Sequence, residues 1–122
     1  LCVDDHPLVR KGIASILANE GDMQLVGEAE NGRVAVEMFR QLTPDVTLMD
    51  LRMPEMDGLA ATRRIRELGG VFATLPICAL TANAFPDDIK ACREAGMNDF
   101  LAKPFGPAEL VAMMERWVTA PS

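Results

Sequence analysis

Four short segments of the chain hold residue types that could do chemistry together: Asp4-Asp5, Asp50, Thr81 and Lys103-Pro104. They supply three carboxylates, a hydroxyl and an ammonium. Carboxylates brought within roughly 5 Å repel by on the order of 3 kcal/mol per pair at an effective dielectric of 20, so something must offset the crowding. One lysine neutralises one charge, whereas a divalent cation that prefers oxygen converts repulsion into coordination. With no His or Cys counted in the set, a hard ion such as Mg²⁺ is favoured over zinc. Mg²⁺ keeps waters and takes one or two carboxylates, leaving room for a phosphoryl oxygen. An aspartate beside such an ion can act as a nucleophile and form an aspartyl phosphate.

The elements that must position these groups are legible in the hydropathy pattern. Apolar runs at Leu1 to Val3, Gln24 to Ala29, Val46 to Met49, Pro76 to Leu80 and Phe100 to Ala102 are each followed by a segment with helical spacing. Five successive βα units predict an α/β fold with a parallel sheet, and runs that are mostly uniform rather than alternating predict helices on both faces. In such a sheet ligands bind beyond the carboxyl ends of the strands, which is where all four chemical segments fall.

Buried stripes are expected at Val9, Ile13, Ile16 and Leu17 in the first helix and at Ala35, Met38, Phe39 and Leu42 in the second. In the last helix they fall at Leu110, Val111, Met114, Trp117 and Val118, and Met113 is read as core with them. The third helix, about Gly58 to Leu68, has Asp57 as its N-cap and stops at Gly69-Gly70. Arg63, Arg64 and Arg66 read as its solvated face. The fourth starts near Pro86, with Asp87 and Asp88 suited to its positive end, and has a poor stripe of Ile89, Cys92 and Ala95. Residues 1–118 read as one domain and 119–122 as a tail.

Composition narrows the classes. The 122 residues suffice for one core, with 49% hydrophobic and 25% charged side chains. A formal charge of -6 offers no footprint for gripping a phosphate backbone, so direct nucleic-acid binding is not expected. Cys2, Cys78 and Cys92 fit neither a disulfide framework nor a C-x-x-C motif, which points to a reducing, cytoplasmic setting. No apolar run is long enough to insert in a membrane. A nucleotide or flavin site is disfavoured as well: Asp4-Asp5-His6-Pro7 would repel phosphate in the absence of a cation, and Pro7 has no N–H to offer.

Asp4-Asp5, the run Met49-Asp50-Leu51-Arg52-Met53-Pro54-Glu55-Met56-Asp57-Gly58, Leu80-Thr81-Ala82 and Lys103-Pro104, in this order, resemble the receiver domain of two-component response regulators. The resemblance implies a flavodoxin-like, doubly wound sheet ordered 2-1-3-4-5. It also implies phosphotransfer to Asp50 from a histidine kinase or histidine phosphotransfer protein, the chain catalysing only its own phosphorylation and slow dephosphorylation. Asp5, Asp50 and the backbone carbonyl of Arg52 would hold Mg²⁺, with Asp4 acting through a metal-bound water. Lys103 and Thr81 would engage the phosphoryl group. Thr81 and Phe100 would form the switch, read out on the fourth helix, fifth strand and fifth helix by a partner or output domain outside this chain.

The resemblance further implies that Arg52 and Asn83, two residues beyond Asp50 and Thr81, modulate phosphoryl lifetime, and that Lys103-Pro104 is a cis bond. Leu8 lies opposite the buried stripe of the first helix beside Lys11, Gly12 and Ser15, the face that would dock the phosphodonor. His6, the only histidine, sits next to the acid cluster, where a metal role is one reading, and reads first as a turn residue entering the first helix. Residues 5 to 58 are similar to receivers joined to helix-turn-helix outputs, whereas 79–84 and 97–100 are similar to receivers inside hybrid kinases. A small Mg²⁺-dependent aspartyl-phosphate hydrolase and a binding module without phosphotransfer are the other readings of the same residues.

Overall fold

The computed structural model describes residues 1–118 except 21, 22, 52, 54, 55, 83, 84 and 104. The strands are β1 (Cys2–Val3), β2 (Glu28–Ala29), β3 (Thr47–Asp50), β4 (Ile77–Thr81) and β5 (Asp99–Ala102). Alternating with them are α1 (Pro7–Ala18), α2 (Gly32–Leu42), α3 (Gly58–Glu67), α4 (Pro86–Ala95) and α5 (Pro107–Val118), with a 3-10 turn at Gly70–Ala73 after α3. All strand pairs are parallel and the order is β2-β1-β3-β4-β5, as the resemblance implied.

The central strands are mainly apolar because both faces are covered, whereas Glu28 and Asp99 fall on the edge strands β2 and β5. Val3, Met49, Ile77 and Ala79 join Ala35 and Phe39 of α2, Ala61 and Ile65 of α3 and Cys92 of α4 in one core. Their strand neighbours Cys2, Leu48, Cys78 and Leu80 point the other way, onto Ile13 and Leu17 of α1 and Leu110, Met113 and Met114 of α5. Asp57 caps α3 by accepting from the Ala60 N–H at 2.8 Å, as its sequence position predicts.

Three local expectations are corrected. The run from Gln24 pairs only at Glu28–Ala29, because β1 presents just Cys2 and Val3 for pairing. Leu42 is more than a third exposed at the end of α2. Arg66 is not a free solvated side chain but half-buried: its guanidinium donates to the carbonyls of Phe72 (3.0 Å), Leu75 (2.7 Å) and Gly96 (2.8 and 3.0 Å) and to Asn98 Oδ1 (2.8 Å). Asn98 Oδ1 in turn accepts from the Ile77 N–H. One side chain of α3 thus joins the 3-10 turn, the entry to β4 and the turn from α4 into β5. Gly96, in a left-handed conformation at φ 107°, ends α4 against the stem of Arg66.

Candidate functional site

Parallel strands deliver their last residues to one edge of the sheet. The register sets Val3 beside Met49 and Asp50 beside Leu80, so Asp4, Asp50 and Thr81 emerge as neighbours, with Lys103 just beyond β5. Lys103 N–H donates to the Thr81 carbonyl at 2.7 Å, tying the last two strand ends together. Gly58 opens α3 close behind the site; a Cβ there would collide with the Asp50 carbonyl oxygen.

One carboxylate oxygen each from Asp4, Asp5 and Asp50 and one imidazole nitrogen of His6 lie within 4.8 Å of one another. Asp4 and Asp50 are buried and Asp5 is partly so. Lys103 Nζ is 2.9 Å from Asp4 Oδ2 and 3.5 Å from Asp50 Oδ1. The other oxygen of Asp4 accepts the His6 backbone N–H at 2.9 Å and faces His6 Nδ1 at 3.1 Å. Burial pushes the Asp4 carboxyl up, but the His6 N–H and Lys103 outweigh it and hold it below the usual carboxylate value. Burial likewise pulls Lys103 down, yet Asp4 and Asp50 hold its ammonium above the usual lysine value. Arg10 donates to the Asp4 carbonyl and pairs with Glu28 at 3.2 Å, bracing the same turn.

The donor set fits a hard divalent cation. Asp5 Oδ1 is enclosed and accepts no hydrogen bond among the described residues, its close polar neighbour being the His6 ring, so an anionic oxygen stands poorly satisfied beside two further carboxylates. The Arg52 carbonyl, expected as a ligand, lies outside the described residues, as do Asn83, the Lys103-Pro104 bond and the tail at 119–122. Of the two readings of His6, the structure brings its ring to the acid cluster, so the donor count that left nitrogen out is corrected. His6 does sit at the N-cap of α1, but the turn after β1 is so short that its ring stays over the acids, with Nδ1 3.0 Å from Asp5 Oδ1.

His6, Asp50, Thr81, Asp88 and Lys103 line a cleft of about 280 Å³. Asp88 is the residue that sequence reasoning missed, having been read as a partner for the helix dipole. Its spacing held the signal: Asp88, Cys92 and Ala95 stand at i, i+4 and i+7, one face of α4, and the last two are buried. Thr81 is 7% exposed. Phe100 is half-buried and packs on the core that includes Cys92 and Met97. On α1, Leu8 is 81% exposed, and Lys11, Gly12 and Ser15 are exposed with it.

A doubly wound sheet with this acidic crevice defines the structural class, and comparison with known proteins supplies the family. Residues 1–115 match the response regulator receiver domain. The receiver domain of the sensor histidine kinase PA1611 from Pseudomonas aeruginosa PAO1, solved with a magnesium ion coordinated in the active site cleft, is similar at a TM-score of 0.87 and 40% identity, covering 98% of this chain and 95% of that one. The two-component response regulator ORR41 of Oryza sativa subsp. japonica is 39% identical over 96% of this chain and 91% of its own length. A protein-glutamate methylesterase/protein-glutamine glutaminase of Nocardioides sp. is 35% identical over 95% of this chain, which spans only 31% of that protein. The chain belongs to the response regulator receiver domain family of two-component signalling. No helix among the described residues is long and apolar enough to cross a membrane.

Proposed function

We propose that this receiver accepts a phosphoryl group on Asp50 from the phosphohistidine of a histidine kinase or histidine phosphotransfer protein. The observation that carries the reading is the placement of Asp50 in the cleft, with Lys103 Nζ 3.5 Å from its carboxylate and Thr81 on the same wall. A carboxylate oxygen of Asp50 bonds to phosphorus as the donor's P–N bond breaks and its imidazole leaves. Lys103 pairs with the phosphoryl oxygens as a point charge and the Thr81 hydroxyl donates to one of them. Mg²⁺, held by Asp5 and Asp50 with the Arg52 carbonyl and by Asp4 through water, would supply positive charge to the transferring group.

The phosphoryl group carries about two negative charges in place of the single carboxylate charge, a net gain of about one, and brings three acceptor oxygens to the end of β3. Thr81 is drawn toward them and Phe100 turns into the vacated space, altering the surface of α4, β5 and α5 for a partner or an output domain outside residues 1–118, the extent we assign to the receiver unit. The sequence contains no Tyr, so this readout rests on packing. Leu8, Lys11, Gly12 and Ser15 form the face that docks the phosphodonor, Arg52 and Asn83 tune phosphoryl lifetime, and the signalling takes place in the cytoplasm. Incubation with a small acyl phosphate and Mg²⁺, followed by intact mass, tests the reading. One stable adduct that is absent in Asp50→Asn is expected; no adduct, or multiple turnover on diverse phosphate esters, would overturn it.

A further inference from the structure

We propose that His6 is a nitrogen donor of the cation site, giving this receiver a raised affinity for borderline divalent ions such as Ni²⁺, Co²⁺ and Zn²⁺. The inference rests on the cation site of the proposed function and specifies which ions that site prefers. Three features carry it. The His6 ring stands 3.1 Å from Asp4 and 3.0 Å from Asp5, so one of its nitrogens already lies within coordinating range of the acids. Its backbone is fixed: the His6 N–H donates to Asp4 and its carbonyl accepts from the N–H groups of Val9 and Arg10 at the start of α1. The ring is nonetheless 66% exposed, so it can exchange a carboxylate for a metal without moving any buried group.

The chemistry follows from ligand softness. Mg²⁺ gains little from an imidazole because it prefers oxygen, whereas Ni²⁺, Co²⁺ and Zn²⁺ bind a mixed nitrogen and carboxylate set more tightly. No other group competes. His6 is the only imidazole in the chain, and Cys2, Cys78 and Cys92 are all buried, so the native fold offers no thiolate to these ions.

The test titrates Ni²⁺ and Mg²⁺ separately by calorimetry into the full chain, freed of any affinity tag, and into His6→Gln, Asp5→Asn and Asp50→Asn. In His6→Gln the Ni²⁺ affinity is expected to fall by roughly tenfold or more while the Mg²⁺ affinity stays within about twofold. Zn²⁺ should also shift a ring nitrogen resonance of the single histidine in the unsubstituted chain, a readout that does not depend on the variant folding. If both chains bind Mg²⁺ and bind Ni²⁺ equally, the inference fails and the cation site stands. If neither ion binds the unsubstituted chain, or if binding survives Asp5→Asn and Asp50→Asn unchanged, the cation site fails and takes the inference with it.

Discussion

Lys103 and Asp4 stand 99 residues apart in sequence and 2.9 Å apart in space, and Asp4 is wholly buried. Asp4 and Asp5 are therefore chemically unlike although adjacent. Asp4 accepts hydrogen bonds on both oxygens, while Asp5 Oδ1 accepts none among the described residues and has only the His6 ring nitrogen, 3.0 Å away, to set against two neighbouring carboxylates. Asp4→Asn is expected to lower stability by about 2 kcal/mol, since it removes charge-assisted hydrogen bonds. Asp5→Asn should raise it by about 1 kcal/mol by relieving repulsion. Urea denaturation of both variants checks the opposite signs; a loss in both would count against the assignment.

The same pair sets a pH window. The Asp4 carboxyl is depressed in the fold, so its contribution is present above the ordinary value of 3.8 and is lost as pH falls through the lower folded value. The Lys103 ammonium is raised, so its contribution is complete below 10.5 and is lost as pH rises through the higher folded value. Thermal melts should show this stability retained between those limits, and Asp4→Asn should flatten the acid limb.

Asp88 places a negative charge on the cleft wall where an anionic phosphodonor must enter. Asp88→Asn is expected to raise the initial rate of phosphorylation by a small acyl phosphate about threefold, and more at low than at high ionic strength, as electrostatic repulsion requires. Stopped mass-spectrometric time courses at two salt concentrations measure it; a salt-independent rate would sink the explanation.

Arg66 ties α3 to the turn from α4 into β5 through neutral oxygens alone, so its fork geometry matters as well as its charge. Arg66→Lys and Arg66→Met should each cost about 1 to 3 kcal/mol by leaving partly buried carbonyls unpaired. Hydrogen exchange should locate the loosening at 96–98. Variants as stable as the original chain would show that water replaces the guanidinium freely.

The single tryptophan provides a built-in probe. Trp117 Nε1 donates to Asp99 Oδ2 at 2.9 Å, and Asp99 Oδ1 accepts the N–H of Phe100 at 2.8 Å. Movement of Phe100 should therefore reach the indole. An emission change on adding acyl phosphate and Mg²⁺ is expected in the original chain and not in Asp50→Asn.

The thiols should be silent. Cys2 and Cys78 are fully buried, and burial pushes both up to about 12. A thiol reagent at pH 8 should modify neither in the native protein and both after unfolding; rapid native labelling would contradict the packing described.

Much of this protein could be read without coordinates because the governing interactions are local. Alternation of apolar runs and striped segments specified five βα units, Asp57 announced its own helix, and parallel strands of short length had to bring Asp4, Asp50, Thr81 and Lys103 to one edge. The tertiary structure decided which of those groups touch. That Lys103 bonds to Asp4 more closely than to Asp50, that Asp88 faces the cleft and that Arg66 is a clamp all depend on partners from distant segments, whereas the His6 ring is held over Asp4 and Asp5 by a local turn whose geometry periodicity does not report. Periodicity reports which face of an element is buried; it does not name the atom on the opposing element, because that is set by the packing of two surfaces whose residues are far apart in the chain.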